Sequence, residues 1–211
     1  MRAVVLFACL AMIASCGTRP LSLPESPIDR AATCGVVAAA EARASVPDVR
    51  APLPFDAQGK ILHHVLLGAS QAGEFSPERA VEVNQRMNAL QEPVIGGRWK
   101  DLVPECRSAF PATATVAPIL PRSAFDARLG CDALAEFLGK ALAKQRGYGD
   151  ELLEYRKLTR RLDASTMVST LQSRTGDDLQ AQQEERHKAL AAMAHVGPPM
   201  ATMRECLRRF G

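Results

Sequence analysis

No stretch of the 211-residue chain alternates apolar and polar side chains at period two, and β-branched residues are sparse. That excludes a sheet as the organising layer, because a half-buried strand needs both features. A phosphate-cradling loop is missing too: Gly96-Gly97 has neither the lysine nor the preceding strand that such a loop requires. There is no Gly-x-Ser-x-Gly elbow to present a nucleophilic serine. The net charge of +3, or +2 without Arg2, is far from the basic excess of a nucleic-acid binder, so no nucleic acid is expected as partner. Even the densest basic run, Lys140 to Arg161, mixes seven basic with three acidic residues and reads as a solvated helix face. Asp177-Asp178 stands at a helix start, where two acids complement the helix dipole rather than form a catalytic pair.

What is present is helical periodicity. Ser26-Pro27-Ile28-Asp29 starts a helix by side-chain capping, and Ile28, Ala31, Ala32, Val36, Val37 and Ala40 give it one apolar stripe. Prolines 47, 52 and 54 make the following stretch irregular. A second helix near Asp56 to Ser70 aligns Ile61, Leu62, Val65, Leu66 and Ala69, with His63 and His64 on the opposite side. The third runs from Ser76 to about Gln91, where Pro93, Gly96 and Gly97 break it. The fourth, from Trp99, aligns Leu102, Val103, Cys106 and Phe110. After a Pro-containing linker the plan recurs with longer helices, in which Leu129, Leu134, Leu138 and Leu142 and later Met200, Met203, Leu207 and Phe210 face inward. The fold class is all-α.

The recurrence is written into particular residues. Ser26 to Cys34 and Ser123 to Cys131 share a cap, an acid three residues on and the same spacing to cysteine. Residues 76–110 laid on 176–210 without a gap match at seven positions: Arg86/Arg186, Ala89/Ala189, Leu90/Leu190, Gly97/Gly197, Glu105/Glu205, Cys106/Cys206 and Phe110/Phe210. Average composition would give roughly two or three. Two tandem helical-bundle units of about four helices each are therefore expected, at 26–110 and 123–211, joined by a linker at 111–122.

Residues 1–15 read as an export signal: Arg2 precedes an apolar run, Ala3 to Ala14, that falls short of the roughly 20 residues needed to cross a bilayer. The run leads into Ile13-Ala14-Ser15-Cys16, which resembles the bacterial lipobox, with isoleucine in place of the more common leucine. The resemblance implies cleavage before a lipid-modified Cys16 and a chain anchored in the cell envelope facing the periplasm. Gly17, in place of an acidic residue, implies the outer membrane. Ordinary secretion to the periplasm or beyond is the alternative. Residues 16–25, with Pro20 and Pro24, are expected to be an extended tether that lets the folded part reach away from the bilayer.

Apart from Cys9 in the signal and Cys16, four cysteines remain, an even number in an oxidising compartment, which favours disulfides over metal. Of three connectivities, Cys34–Cys106 and Cys131–Cys206 give equivalent cysteines equivalent roles and close each unit. No metal or cofactor is expected. His63 and His64 are adjacent, about 100° apart on a helix, and do not converge on one ion. His187 and His195 lie near Met193, Met200 and Met203, a set that could suit soft copper, yet Met200 and Met203 fall on an apolar edge where packing accounts for them. With no catalytic residue identified, the expected function is a non-catalytic envelope lipoprotein, binding or assembling another envelope protein through a groove between or within the units. The surface near Trp99 and Phe210 is the first place to look. A hydrolase or transferase with dispersed catalytic residues is the alternative.

Overall fold

The computed structural model describes residues 21–48, 50–163 and 166–211. The described residues form nine α-helices and no strand: α1 (Pro27–Ala44), α2 (Phe55–Ala69), α3 (Pro77–Ile95), α4 (Trp99–Ala109), α5 (Ala124–Leu142), α6 (Gly149–Asp163), α7 (Met167–Thr175), α8 (Leu179–Val196) and α9 (Pro199–Phe210). The chain is all-α. The helix starts follow the capping chemistry of the sequence. Ser26 accepts from the Asp29 N–H at 3.4 Å, Ser76 from the Arg79 N–H at 3.1 Å and Ser123 from the Asp126 N–H at 3.2 Å. Each satisfies a backbone donor that the first turn leaves unpaired. Asp178 caps α8 by accepting from the Gln180 and Ala181 N–H groups, a more local role than complementing a dipole.

The first helix of each half packs along the helix carrying the matched arginine, α1 on α3 and α5 on α8, and a disulfide ties it to the last helix of that half. Cys34 joins Cys106 and Cys131 joins Cys206, with Cα atoms 5.4 and 5.8 Å apart. The core does not divide along the same line. One large cluster runs from Ala31, Leu66 and Val83 of the first half through Leu134, Leu158, Leu190 and Met203 of the second. A small one gathers Cys34, Val36, Val37, Val94, Leu102 and Cys106 around the first disulfide.

The helix that joins the halves is α2, covered by α1 and α3 on one side and by α8 and α9 on another. This overturns the expected placing of His63 and His64 away from the packed face, since every residue from Ile61 to Ser70 is buried. His63 donates through Nε2 to the Ala194 carbonyl of α8 at 2.7 Å. A second correction concerns α3, which continues through Pro93 to Ile95. A proline so near a helix end removes one backbone hydrogen bond, and burial of Val94 in the small cluster holds the last turn in place. The linker at 111–122 begins as a short 3-10 turn and then passes over the α8–α9 turn, burying Leu120. Gly197 permits that crossing: a Cβ there would lie 3.1 Å from Pro118 and 3.3 Å from Thr115.

Candidate functional site: a cleft between the two halves

Where α2 and α3 meet α5 and α8, the helices leave a cleft of about 360 Å3, within the range of roughly 300–1,000 Å3 typical of binding pockets. Leu62 and Val65 of α2, both buried, form the floor, and Ala80, Ala133 and Ala141 leave space because each side chain is no longer than a methyl. Phe75 closes one end, edge-on to Phe137 and to His187 with ring centres 5.7 Å away in both cases. Its position follows from the α2–α3 turn. The Arg79 guanidinium donates to the carbonyls of Ala69, Gln71 and Glu74 at 2.7–3.3 Å, and the Phe75 N–H donates to the His187 carbonyl at 3.2 Å.

The polar rim is spent on itself. Arg186 of α8 pairs with Asp132, which is fully buried on α5, and reaches Glu136 at 3.4 Å, while Lys140 donates to Glu136 at 2.6 Å. Burial pushes the Asp132 carboxyl above its usual value, with Arg186 opposing, and its Oδ1 has no partner. Hydrogen bonding from Lys140 holds Glu136 below the usual carboxylate range. Asn84 donates to the Ala80 carbonyl, and Gln183 contacts His187 at 2.7 Å. Val81 of α3, 55% exposed, also lines the cleft.

The other residues singled out from sequence lie elsewhere. Trp99 is half-buried over the small cluster beside Lys100, and Phe210 is half-buried between the guanidinium groups of Arg128 and Arg209, 5.2 and 5.1 Å from its ring centre. Neither lines the cleft. Cys16 lies outside the described residues. Met193, Met200 and Met203 are core residues, and Met200 accepts a hydrogen bond from the Tyr155 hydroxyl at 3.7 Å. Among the described residues no three His, Cys, Asp or Glu side chains are grouped to hold a metal ion, and no helix is long and apolar enough to cross a membrane.

Two further clefts lie elsewhere on the surface. One of about 410 Å3 beside Phe55 and Tyr155 carries Asp56, Glu151 and Glu154 with Arg204 as its one cation. One of about 270 Å3 runs past the Cys34–Cys106 bond, His64, Lys60 and Arg107. The sequence held two signals for the main cleft: an acid, Asp132, inside an apolar helix stripe, and Arg186, one of the matched arginines. A buried acid needs a cation, and α8 carries Arg186 against α5. No protein-family model, curated protein or solved structure matches this chain.

Proposed function

We propose that the protein is a non-catalytic, membrane-tethered binding or assembly factor of the bacterial envelope, lipid-anchored at Cys16, and that the cleft takes an apolar helical segment of another envelope protein. The observation that supports this reading is an open apolar floor framed by polar groups already paired within the protein. A small polar substrate is held by convergent unpaired donors and acceptors, and this rim has few to offer. Apolar side chains at helical spacing suit it better, and Val81, an exposed apolar side chain of the lining, is one that a peptide can cover. The repeated sequence phrases fit two units fused through α2, with the docking cleft at their junction.

A photo-crosslinking residue at position 81 tests the proposal in intact cells, with position 168, also exposed on α7, as control. One discrete adduct from position 81, lost when Ala133→Trp fills the cleft of a folded protein, is the expected result. Equal adducts from both positions, or an adduct indifferent to Ala133→Trp, would overturn it. Turnover of a cell-wall or lipid substrate, abolished by changing one polar side chain, would replace it with the enzyme reading.

A further inference from the structure

The segment expected to be a free tether is docked over half its length. Leu21 and Leu23 pack on the small cluster with Trp99. A Cβ on Gly97 would lie 2.9 Å from Leu21, so that glycine is what lets the segment come so close. Arg30 fastens the chain just beyond, donating to the carbonyls of Pro24 and Glu25 at 2.9 Å each. Only residues 17–20 then separate Cys16 from a part of the chain fixed to the body. Five residue steps span at most about 18 Å when fully extended.

We propose, resting on the lipid-anchor reading of Cys16, that the corner between α3 and α4 lies on the bilayer surface, with Ile95 and Trp99 in the headgroup region. The covalent reach keeps Leu21 near the anchor, Gly97 is its packing neighbour, and Trp99 packs on the same small cluster. The corner has the side chains for such a place. Ile95 is 48% exposed at the end of α3 while its neighbour Val94 is buried. Trp99 is half-buried with the Lys100 ammonium 5.7 Å from its ring centre, and Arg98 pairs with Asp101 at 2.6 Å. Amphipathic indole, lysine and arginine side chains settle where apolar and aqueous layers meet. The corner is also stiff, because the Cys34–Cys106 bond fixes α4 to α1. Its charges balance, Glu92 and Asp101 against Arg98 and Lys100, so contact comes from apolar insertion and does not require anionic lipid.

Trp99 is the only tryptophan of the chain, so its fluorescence reports this corner alone. The processed protein is extracted from membranes, the mass of its N-terminal peptide read, and the protein reconstituted into phosphatidylcholine vesicles brominated near the headgroup or near the chain ends. Emission that moves to shorter wavelength, is quenched more by shallow than by deep bromines, and is shielded from acrylamide relative to soluble Cys16→Ser protein supports the proposal. Ile95→Asp, on an exposed site that leaves the core intact, should lessen the shallow quenching. Lipidated protein whose Trp99 is as open to acrylamide as in Cys16→Ser overturns the corner placement while leaving the anchor standing. An unmodified N-terminus overturns both, and neither outcome bears on the cleft, which the position-81 adduct tests separately.

Discussion

Acidification below pH 6.5 should destabilise this protein through two buried histidines. Burial holds His63 at about 4, with the Ala194 carbonyl opposing and His195 adding repulsion, and holds His64 at about 3, where repulsion from His63 contributes. Both are neutral in the fold at pH 7. A group whose value is lowered on folding contributes its full stability above the unfolded value of 6.5 and loses it as pH falls through the folded value. At pH 5 each histidine binds a proton readily in the unfolded chain and scarcely in the folded one, a cost of about 2 kcal/mol apiece and about 4 kcal/mol together. That is a large share of the roughly 5–15 kcal/mol that stabilises a domain.

His64→Leu separates the two. The His64 Nδ1 is buried without a partner, so at pH 7 the substitution should be neutral or stabilising by up to about 1 kcal/mol. At pH 5 it should remove about half of the acid loss. Asp132 runs the other way: its raised value favours the folded state as pH falls and offsets part of the loss at the acid end. Urea denaturation at pH 7 and pH 5, on wild type and His64→Leu, measures the difference directly. A wild type equally stable at both pH values, or a variant that loses as much as wild type, would refute the assignment of the acid limb to these buried rings.

Arg186→Met leaves Asp132 buried without its cation and should cost about 3–5 kcal/mol at pH 7; denaturation midpoints should show much of the loss recovered in acid, as Asp132 protonates, and in the double variant with Asp132→Leu. The disulfides close spans of 72 and 75 residues, so replacing either pair with serine should cost about 4 kcal/mol in the chain-entropy model. Hydrogen exchange should show the loss of Cys34–Cys106 loosening α4 first, and that of Cys131–Cys206, inside the large core, acting on the whole fold. Gly59→Ala should destabilise, because its Cβ would lie 2.4 Å from the Met200 Cγ where α2 meets α9, whereas Gly139→Ala meets open space inside α5 and should gain about 0.5–1 kcal/mol in thermal melts.

How much of this was legible follows from which interactions are local. Caps at Ser26, Ser76 and Ser123 act within three residues, so the starts of α1, α3 and α5 could be read directly. The cysteine pairs were legible because the recurring phrases supplied a long-range rule that one copy could not. The path of α2 was not legible. Its apolar stripe predicts one buried face, and only tertiary neighbours bury the rest: α8 meets His63 through the Ala194 carbonyl, and Phe110 at the end of α4 packs edge-on against His64. The end of α3 was misplaced for a similar reason: the breaking tendency of Pro93 is local, whereas the burial of Val94 that outweighs it is tertiary. The cleft belongs to no single stretch. Its lining comes from four helices and a turn, and in sequence Ala80 and Ala133 are ordinary alanines.

The two proposals meet on α3. Its N-terminal half gives Ala80, Val81 and Asn84 to the cleft, and its C-terminus carries Ile95 at the corner placed on the membrane. Fourteen residues of helix separate Val81 from Ile95, about 21 Å at 1.5 Å per residue. With the corner seated, the cleft mouth stands at most that far above the headgroups, so its occupant must project from the membrane by a matching distance. Tether length and corner contact are then separable. A Gly/Ser insertion of about 20 residues after Gly17 widens the space a free body could explore to roughly 25 Å. If the corner sets the height, the insertion alone should leave the position-81 adduct intact, since Ile95 and Trp99 still bring the body down. Combining the insertion with Ile95→Asp should then weaken the adduct, because nothing but a long flexible chain would hold the cleft in place. Loss of the adduct from the insertion alone would assign the height to the short covalent tether, and α3 would lose its part as a spacer.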